Sequence, residues 1–201
     1  MPIALLLEKY MKIKNLFKPD NWWLLILIGI ISWMIYVIFS NPEYNKAFNF
    51  ILPGLSITFL STIVSFVIAL FLGLISGIGR ISKNRIASTI SRTYIEFIRG
   101  VPVLILIFTI AFVVVVRGAE FFNINNGNVP MLVRAIIALS VFYGAYIAEV
   151  FRAGIESVPV GQREGGASLG LTDRQVMRFI VLPQAFRNML PALGNDFISM
   201  M

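Results

Sequence analysis

The sequence predicts an all-α fold: a polytopic transmembrane helical bundle from which a polar helix pair projects. Three observations carry that prediction. Of 201 residues, 58% are hydrophobic and only 13% charged, against about 25% charged in an ordinary soluble domain. The apolar residues gather into long uncharged runs, and the basic residues cluster between alternate runs. Four such runs buried inside a soluble protein of this length would leave too little polar surface to cover them.

The elements follow in order. Residues 1–21 carry Lys9, Lys12, Lys14 and Lys18 and read as a basic arm ahead of a single transmembrane domain, 22–201. The stretch WWLLILIGIISWMIYVIF (22–39) has no charge and approaches the about 20 apolar residues that cross a bilayer core. It is too long for a signal-peptide core, and Ser40-Asn41-Pro42-Glu43 offers no small-residue cleavage site, so it is expected to be retained. The second run, 55–79, begins behind Pro53-Gly54 and holds Gly73-x-x-x-Gly77, a spacing that lets membrane helices approach closely.

Residues 80–100 place Ile81, Ile86, Ile90, Tyr94 and Phe97 at helical spacing and predict an amphipathic connection. Pro102 suits the first turn of the third run, 101–116, which is near the lower length limit for a span. An Asn/Gly-rich loop, 117–130, leads to a fourth run, 135–148, bounded by Arg134 and Glu149. Residues 191–201 start a further apolar segment that ends after eleven residues. About five spans are expected, the last cut short, with a long polar loop at 153–190.

Fourteen of the seventeen basic residues lie before the first run, between the second and third, or after the fourth. The intervening loops expected at 40–54 and 117–130 hold only Lys46 and Arg117. Lys and Arg accumulate on the cytoplasmic side, so the N-terminus and the 153–190 loop are predicted to be cytoplasmic. The net charge of +7 therefore reports topology and gives no reason to expect nucleic acid as a partner.

Within that loop, GQREGGASLGLTDRQVMRFIVLPQAFR (161–187) has its own local order. Pro159 suits a helix start, and Gly170 suits the left-handed position that ends one. Thr172-Asp-Arg-Gln175 is a capping-box pattern, predicting a second helix from Asp173 to about Leu182, broken by Pro183. A DNA-reading helix pair would need a soluble domain around it. Gly166-Ala-Ser168-Leu-Gly170 matches the nucleophile elbow, but that site needs a preceding strand and a histidine, and the chain has no histidine. Cysteine is absent too, so disulfide, thiolate and zinc–histidine chemistry are not expected. No phosphate-binding G-x-x-x-x-G-K-[ST] loop is present, so this chain is not expected to be an ATPase itself. Two readings remain: an ordinary solvated loop, which explains neither the cap pair nor the apolar positions Leu169, Leu171, Val176 and Phe179, and a docking element at 159–183 that follows a partner as a rigid body.

This stretch resembles the cytoplasmic loop of ABC importer permeases, whose pattern runs E-A-A, three residues, G, nine residues, then I-x-L-P. Glu164 and Gly170 fall on its acidic residue and glycine, and Ile180, Leu182 and Pro183 on its ending. Upstream, YIEFIRGVPVLI and YGAYIAEVFRAGIESVPVGQ are similar to signatures of the polar amino acid branch. Gly165-Gly166 departs from Ala-Ala, which costs about 1 kcal/mol per glycine in a helix interior.

The resemblance implies a non-enzymatic permease of a bacterial cytoplasmic membrane that translocates polar amino acids. It implies an ATP-binding cassette subunit carrying ATP and Mg, a second permease subunit, identical or homologous, and an extracytoplasmic substrate-binding protein. It implies no cofactor or metal in this chain. ATPase coupling is expected at Arg163, Glu164, Gly170, Leu171, Asp173 and Arg174. For the substrate path or gate, Glu96 and Arg99 sit three apart and can pair on one helix face. Glu149, at membrane depth, either meets a substrate amine or forms an ion pair near Arg152. Asn195, with Asp196, is placed along the path. A channel or ion-driven carrier needing no ATPase is the alternative; it leaves the capped helix pair without a role.

Overall fold

The computed structural model describes residues 22–124 and 129–201; the expected basic arm, 1–21, lies outside them. Among the described residues all regular elements are helical. Four helical segments are long and apolar enough to cross a membrane: Trp22–Ser40, Pro42–Ile81, Val103–Phe121 and Met131–Glu156. The chain is a multi-pass membrane protein. It divides into two compact units, Met1–Ser56 and Ile57–Met201.

In the first unit, α1 (Trp22–Ser40) buries none of its residues and is apolar all round, as a lipid-facing span requires. After the single residue Asn41, α2 (Pro42–Ile81) begins. The Asn41 side chain accepts the Glu43 N–H at 3.0 Å, and Pro42 fills a first-turn position where the missing N–H is no loss. Segment 40–54, expected as a loop, is therefore helical. Pro53 lies inside α2 rather than marking its start, because local adjustments re-satisfy the freed backbone group in a membrane helix.

The second unit is organised around α6 (Met131–Glu156). Against it α2 buries Thr62, Ser65, Ala69, Gly73 and Gly77, a stripe of small residues at three-to-four spacing. Ser140 Oγ donates to the Ile136 carbonyl at 2.6 Å and reaches the Ser65 carbonyl at 3.3 Å. A Cβ on Gly73 would fall 2.5 Å from Ile147 Cγ2 and 3.0 Å from Ala148 N, so the close approach read from the Gly-x-x-x-Gly spacing is made here.

Elsewhere α6 packs against α3 (Arg85–Gly100) and the third span. That span comprises α4 (Val103–Thr109), a π-helical stretch Ile110–Val114 and α5 (Val115–Phe121). It continues past the expected end at 116 and reaches 19 residues, which removes its length deficit. Ile98, Leu106, Ile110, Ala138, Phe142 and Ala145 form one core cluster. Ile147, Ile155, Val176, Val181, Ala185 and Met189 belong to another. Outward, Phe71, Ile75 and Leu104 are exposed, an apolar surface suited to lipid.

The helix expected across 80–100 is present as α3, capped by the Asn84 side chain, but its apolar stripe faces the other way. Ser91, Ile95 and Ile98 are the buried residues, while Ile86, Ile90 and Phe97 are exposed. Tyr94 sits on the packed side and donates to the Val141 carbonyl at 2.6 Å. Burial pushes its hydroxyl up to about 12.

Beyond α6 come α7 (Val160–Ser168), α8 (Asp173–Val176), a π-helical stretch Met177–Val181 and α9 (Leu182–Met200). Pro183 does not end the second helix as expected. It falls in the first turn of α9 behind the π-helical stretch, where the register has shifted and no intrahelical donor is required. The segment starting at residue 191 is thus the second half of a 19-residue helix.

Candidate functional site

The polar pair is built by local chemistry. Pro159 sits at the N-cap of α7. Gly170, at φ +78°, ends it without the steric penalty a Cβ would bring, and the Leu171 N–H returns to the Gly166 carbonyl at 3.2 Å. The capping box closes both ways: Gln175 N–H donates to Thr172 Oγ1 at 3.4 Å, and Thr172 N–H to Gln175 Oε1 at 2.9 Å. The two helices then meet through Gly166, where a Cβ would be 2.6 Å from Ile180 Cδ1 and 3.0 Å from Val176 Cγ2.

This pair is tethered to the bundle at several points. Arg163 Nη2 donates to the Ile155 carbonyl at 2.9 Å, satisfying an orphan acceptor near the end of α6. Gln184 Nε2 reaches Gln162 Oε1 at 3.3 Å, and beside it Asn188 Nδ2 donates to Ser157 Oγ at 2.8 Å, which ties α9 to the C-cap of α6. Of the expected coupling residues, Arg163 is therefore an internal anchor, and Leu171 is half-buried against the core. Glu164, Gly170, Asp173 and Arg174 are exposed. Leu169 is 82% and Phe179 63% exposed. These two large apolar groups amid charges suit a docking surface, with the charges setting orientation.

One to two turns before the end of α6 lies a cluster of six charges. Glu149 accepts from Arg80 at 3.0 Å and from Arg152, with Arg99 3.9 Å away. Arg152 also holds Glu156, and Arg80 lies 4.0 Å from Glu96. Three guanidiniums and three carboxylates thus balance across α2, α3 and α6. The Glu96–Arg99 pair expected on one helix face is not the arrangement formed. Packing of α3 on α6 offers each residue a partner on another helix, and part-buried charges gain more from such contacts than exposed ones.

Arg99 is 5.4 Å from the centre of the Tyr146 ring, close enough for a cation–π contact. Glu149 spends both oxygens on arginines, so the geometry matches the ion-pair reading of this residue. Arg80, 69 residues from Glu149 in sequence, was visible beforehand only as a topology-setting charge.

Beside the cluster is a cleft of about 380 Å³ whose lining includes Arg99, Tyr146, Glu149, Ser157, Asn188 and Asp196. Asn195 is exposed and is not in that lining. Asp196, about 100° further round the helix, is, and its Oδ2 is buried without a hydrogen-bond partner among the described residues. The cleft thus offers a guanidinium and an unsatisfied carboxylate oxygen, which suit the two ends of a zwitterion. Among the described residues no group of three or more His, Cys, Asp or Glu side chains could hold a metal ion.

Comparison with known proteins gives one consistent picture. Residues 69–201 match the family described as binding-protein-dependent transport system inner membrane component. The chain is 40% identical over 158 residues to the probable amino-acid permease protein YxeN of Bacillus subtilis (strain 168), covering 78% of this chain and 67% of that one. It is 38% identical to the L-cystine transport system permease protein TcyB of the same organism, covering 73% of this chain and 59% of the relative. This chain thus spans roughly three fifths to two thirds of the length of these relatives. The crystal structure of an amino acid ABC transporter with histidines superposes at a TM-score of 0.69, with 35% identity, covering 79% of this chain and 70% of that one.

Proposed function

This chain belongs to the family of inner-membrane components of binding-protein-dependent transport systems, and from that premise we propose that it is the permease subunit of an ATP-driven importer of polar amino acids. The named relatives transport or are assigned amino acids, and the cleft at Arg99 and Asp196 suits a substrate that carries a carboxylate and an ammonium. The partners are a separate ATP-binding cassette subunit, which holds ATP and Mg, a second permease subunit and an extracytoplasmic substrate-binding protein. The chain lies in a bacterial inner membrane with its N-terminus cytoplasmic, in keeping with the placement of its basic residues.

The observation that carries the mechanism is the tethering of the capped pair α7–α8 to the helix ends that bear the charge cluster. Exposed Leu169, Phe179 and Glu164 dock in a groove of the ATPase. Motion of that subunit is passed through Arg163–Ile155 and Gln162–Gln184 to the end of α6 and the start of α9, which Asn188–Ser157 ties to each other. The contacts of Arg80 and Arg99 with Glu149 join three helices, so they form a clasp that must part for those helices to separate. The cleft beside it then opens toward the cytoplasm, and the ion pairs re-form when the helices return. Glu149 holds the clasp, and Arg99 and Asp196 face the cargo.

The test is Glu164→Arg in the complete transporter reconstituted in liposomes. The variant should still insert and assemble its membrane part, while ATP hydrolysis loses its link to substrate uptake. Wild-type uptake by this variant would overturn the docking role. A chain that purifies without an ATPase and still moves amino acids would overturn the importer reading itself.

A further inference from the structure

Helix α3 has three distinct faces. Its packed face, Ser91, Ile95 and Ile98, lies against the bundle. A second face, Ile86, Ile90 and Phe97, is apolar but exposed, at 72%, 65% and 63%. The third carries Arg85, Thr89, Arg92 and Glu96, recurring every three or four residues and so forming one stripe. That stripe and the preceding Lys83 line a cleft of about 390 Å³ whose other walls are hydroxyl side chains such as Thr93.

Among the described residues Lys83, Arg85 and Arg92 form no ion pair, and the one carboxylate in the cleft, Glu96, leans toward Arg80 at 4.0 Å. The cleft therefore presents three cations and several hydroxyl donors with one acid to offset them. We propose that it receives the phosphate headgroup of an anionic phospholipid. The apolar face decides for a lipid over a soluble anion. A helix that exposes Ile86, Ile90 and Phe97 beside a basic stripe lies along a membrane surface, with its apolar side toward the acyl chains and its charges among the headgroups.

Guanidinium and ammonium groups with adjacent hydroxyls match phosphate oxygens, and each basic residue near an anionic surface strengthens binding about fivefold. The cleft is separate from the one at Asp196 and shares none of its lining residues. A bound headgroup here would brace the α2–α3 connection, from which Arg80 reaches the clasp.

The experiment uses the intact transporter in nanodiscs of equal parts phosphatidylglycerol and phosphatidylcholine, with retained lipid counted by native mass spectrometry after transfer to detergent. Wild type should retain phosphatidylglycerol over phosphatidylcholine. Replacing Lys83, Arg85 and Arg92 together by Gln should weaken that retention on the order of a hundredfold. Thr89→Glu, a change at an exposed position that puts a negative charge into the stripe, should weaken it without touching the core. Unchanged retention in both variants would overturn the proposal. So would wash-out of the retained phosphatidylglycerol by millimolar inorganic phosphate added to the detergent, which would assign the cleft to a soluble anion, or loss of the ATPase partner from the variants with lipid retention intact, which would assign the stripe to a protein contact.

Discussion

Gly165 and Gly166 are consecutive residues of α7, and the structure predicts different outcomes when each becomes alanine. Gly165 is exposed, and nothing lies within 4 Å of where its Cβ would be. Gly165→Ala should therefore gain the full helix-propensity difference, about 1 kcal/mol. At 1.36 kcal/mol per factor of ten, local opening of α7 becomes about fivefold rarer.

Gly166 is buried between the two helices of the pair, where the added methyl would meet Ile180 Cδ1 at 2.6 Å and Val176 Cγ2 at 3.0 Å. The end of Ile180 can swing away. Val176 is only 6% exposed and stiff at χ1, so it can give little. Overpacking of this kind costs about 1–3 kcal/mol, which cancels or exceeds the propensity gain. Gly166→Ala should thus be neutral to destabilising by up to about 2 kcal/mol. Hydrogen–deuterium exchange of residues 160–170 in the assembled transporter measures both. Faster exchange in Gly165→Ala than in wild type, or equal protection in the two variants, would refute the reasoning.

Other expectations concern the clasp and the helix seams. Glu149→Gln leaves three guanidiniums without their shared counter-charge; breaking a fully buried pair costs about 3–5 kcal/mol, and partial exposure here lowers that to about 2, read as a fall in melting temperature with impaired uptake. Adding Arg80→Gln to it should cost less than the sum of the two single changes, because the partners are coupled. Gly73→Ala should destabilise by about 1–2 kcal/mol through its clash with Ile147 and the Ala148 backbone, while Gly118→Ala, with open space around it, should not. Tyr94→Phe should cost about 1 kcal/mol by removing the hydroxyl's bond to the Val141 carbonyl. Because burial raises the Tyr94 hydroxyl from 10.0 to about 12, folding favours its neutral form. That contribution is whole below pH 10 and fades as pH rises through about 12, which thermal denaturation across pH 9–12 would follow.

Much of this architecture was legible beforehand because its causes are local. Uncharged runs near the length of a bilayer core predict spans, and a small-residue spacing predicts a close seam. Pro159, Gly170 and Thr172 with Gln175 write the ends of the polar helix pair within a few residues of where they act. The segment at 40–54 and the continuation through Pro183 were missed for different reasons. Asn41-Pro42 is a helix-start pattern that was passed over, whereas the π-helical shift at Met177–Val181 leaves no strong mark in sequence, so Pro183 simply reads as a stop.

What only the tertiary structure decided is which face and which partner each residue takes. Amphipathic spacing placed Ile86, Ile90 and Phe97 on one face of α3 but could not tell that the bundle takes Ile95 and Ile98 instead. Arg163 carried the same charge as Arg174 on paper, and only the end of α6 turns it inward to the Ile155 carbonyl. Glu149 has Arg152 one turn away, yet its bond to Arg80 spans 69 residues, and Asp196 faces the cleft while Asn195 does not. Periodicity and capping depend on neighbours in the chain, so one sequence suffices to read them. A charge settles on whichever partner packing brings within a few ångströms, and that choice exists only once the helices have met.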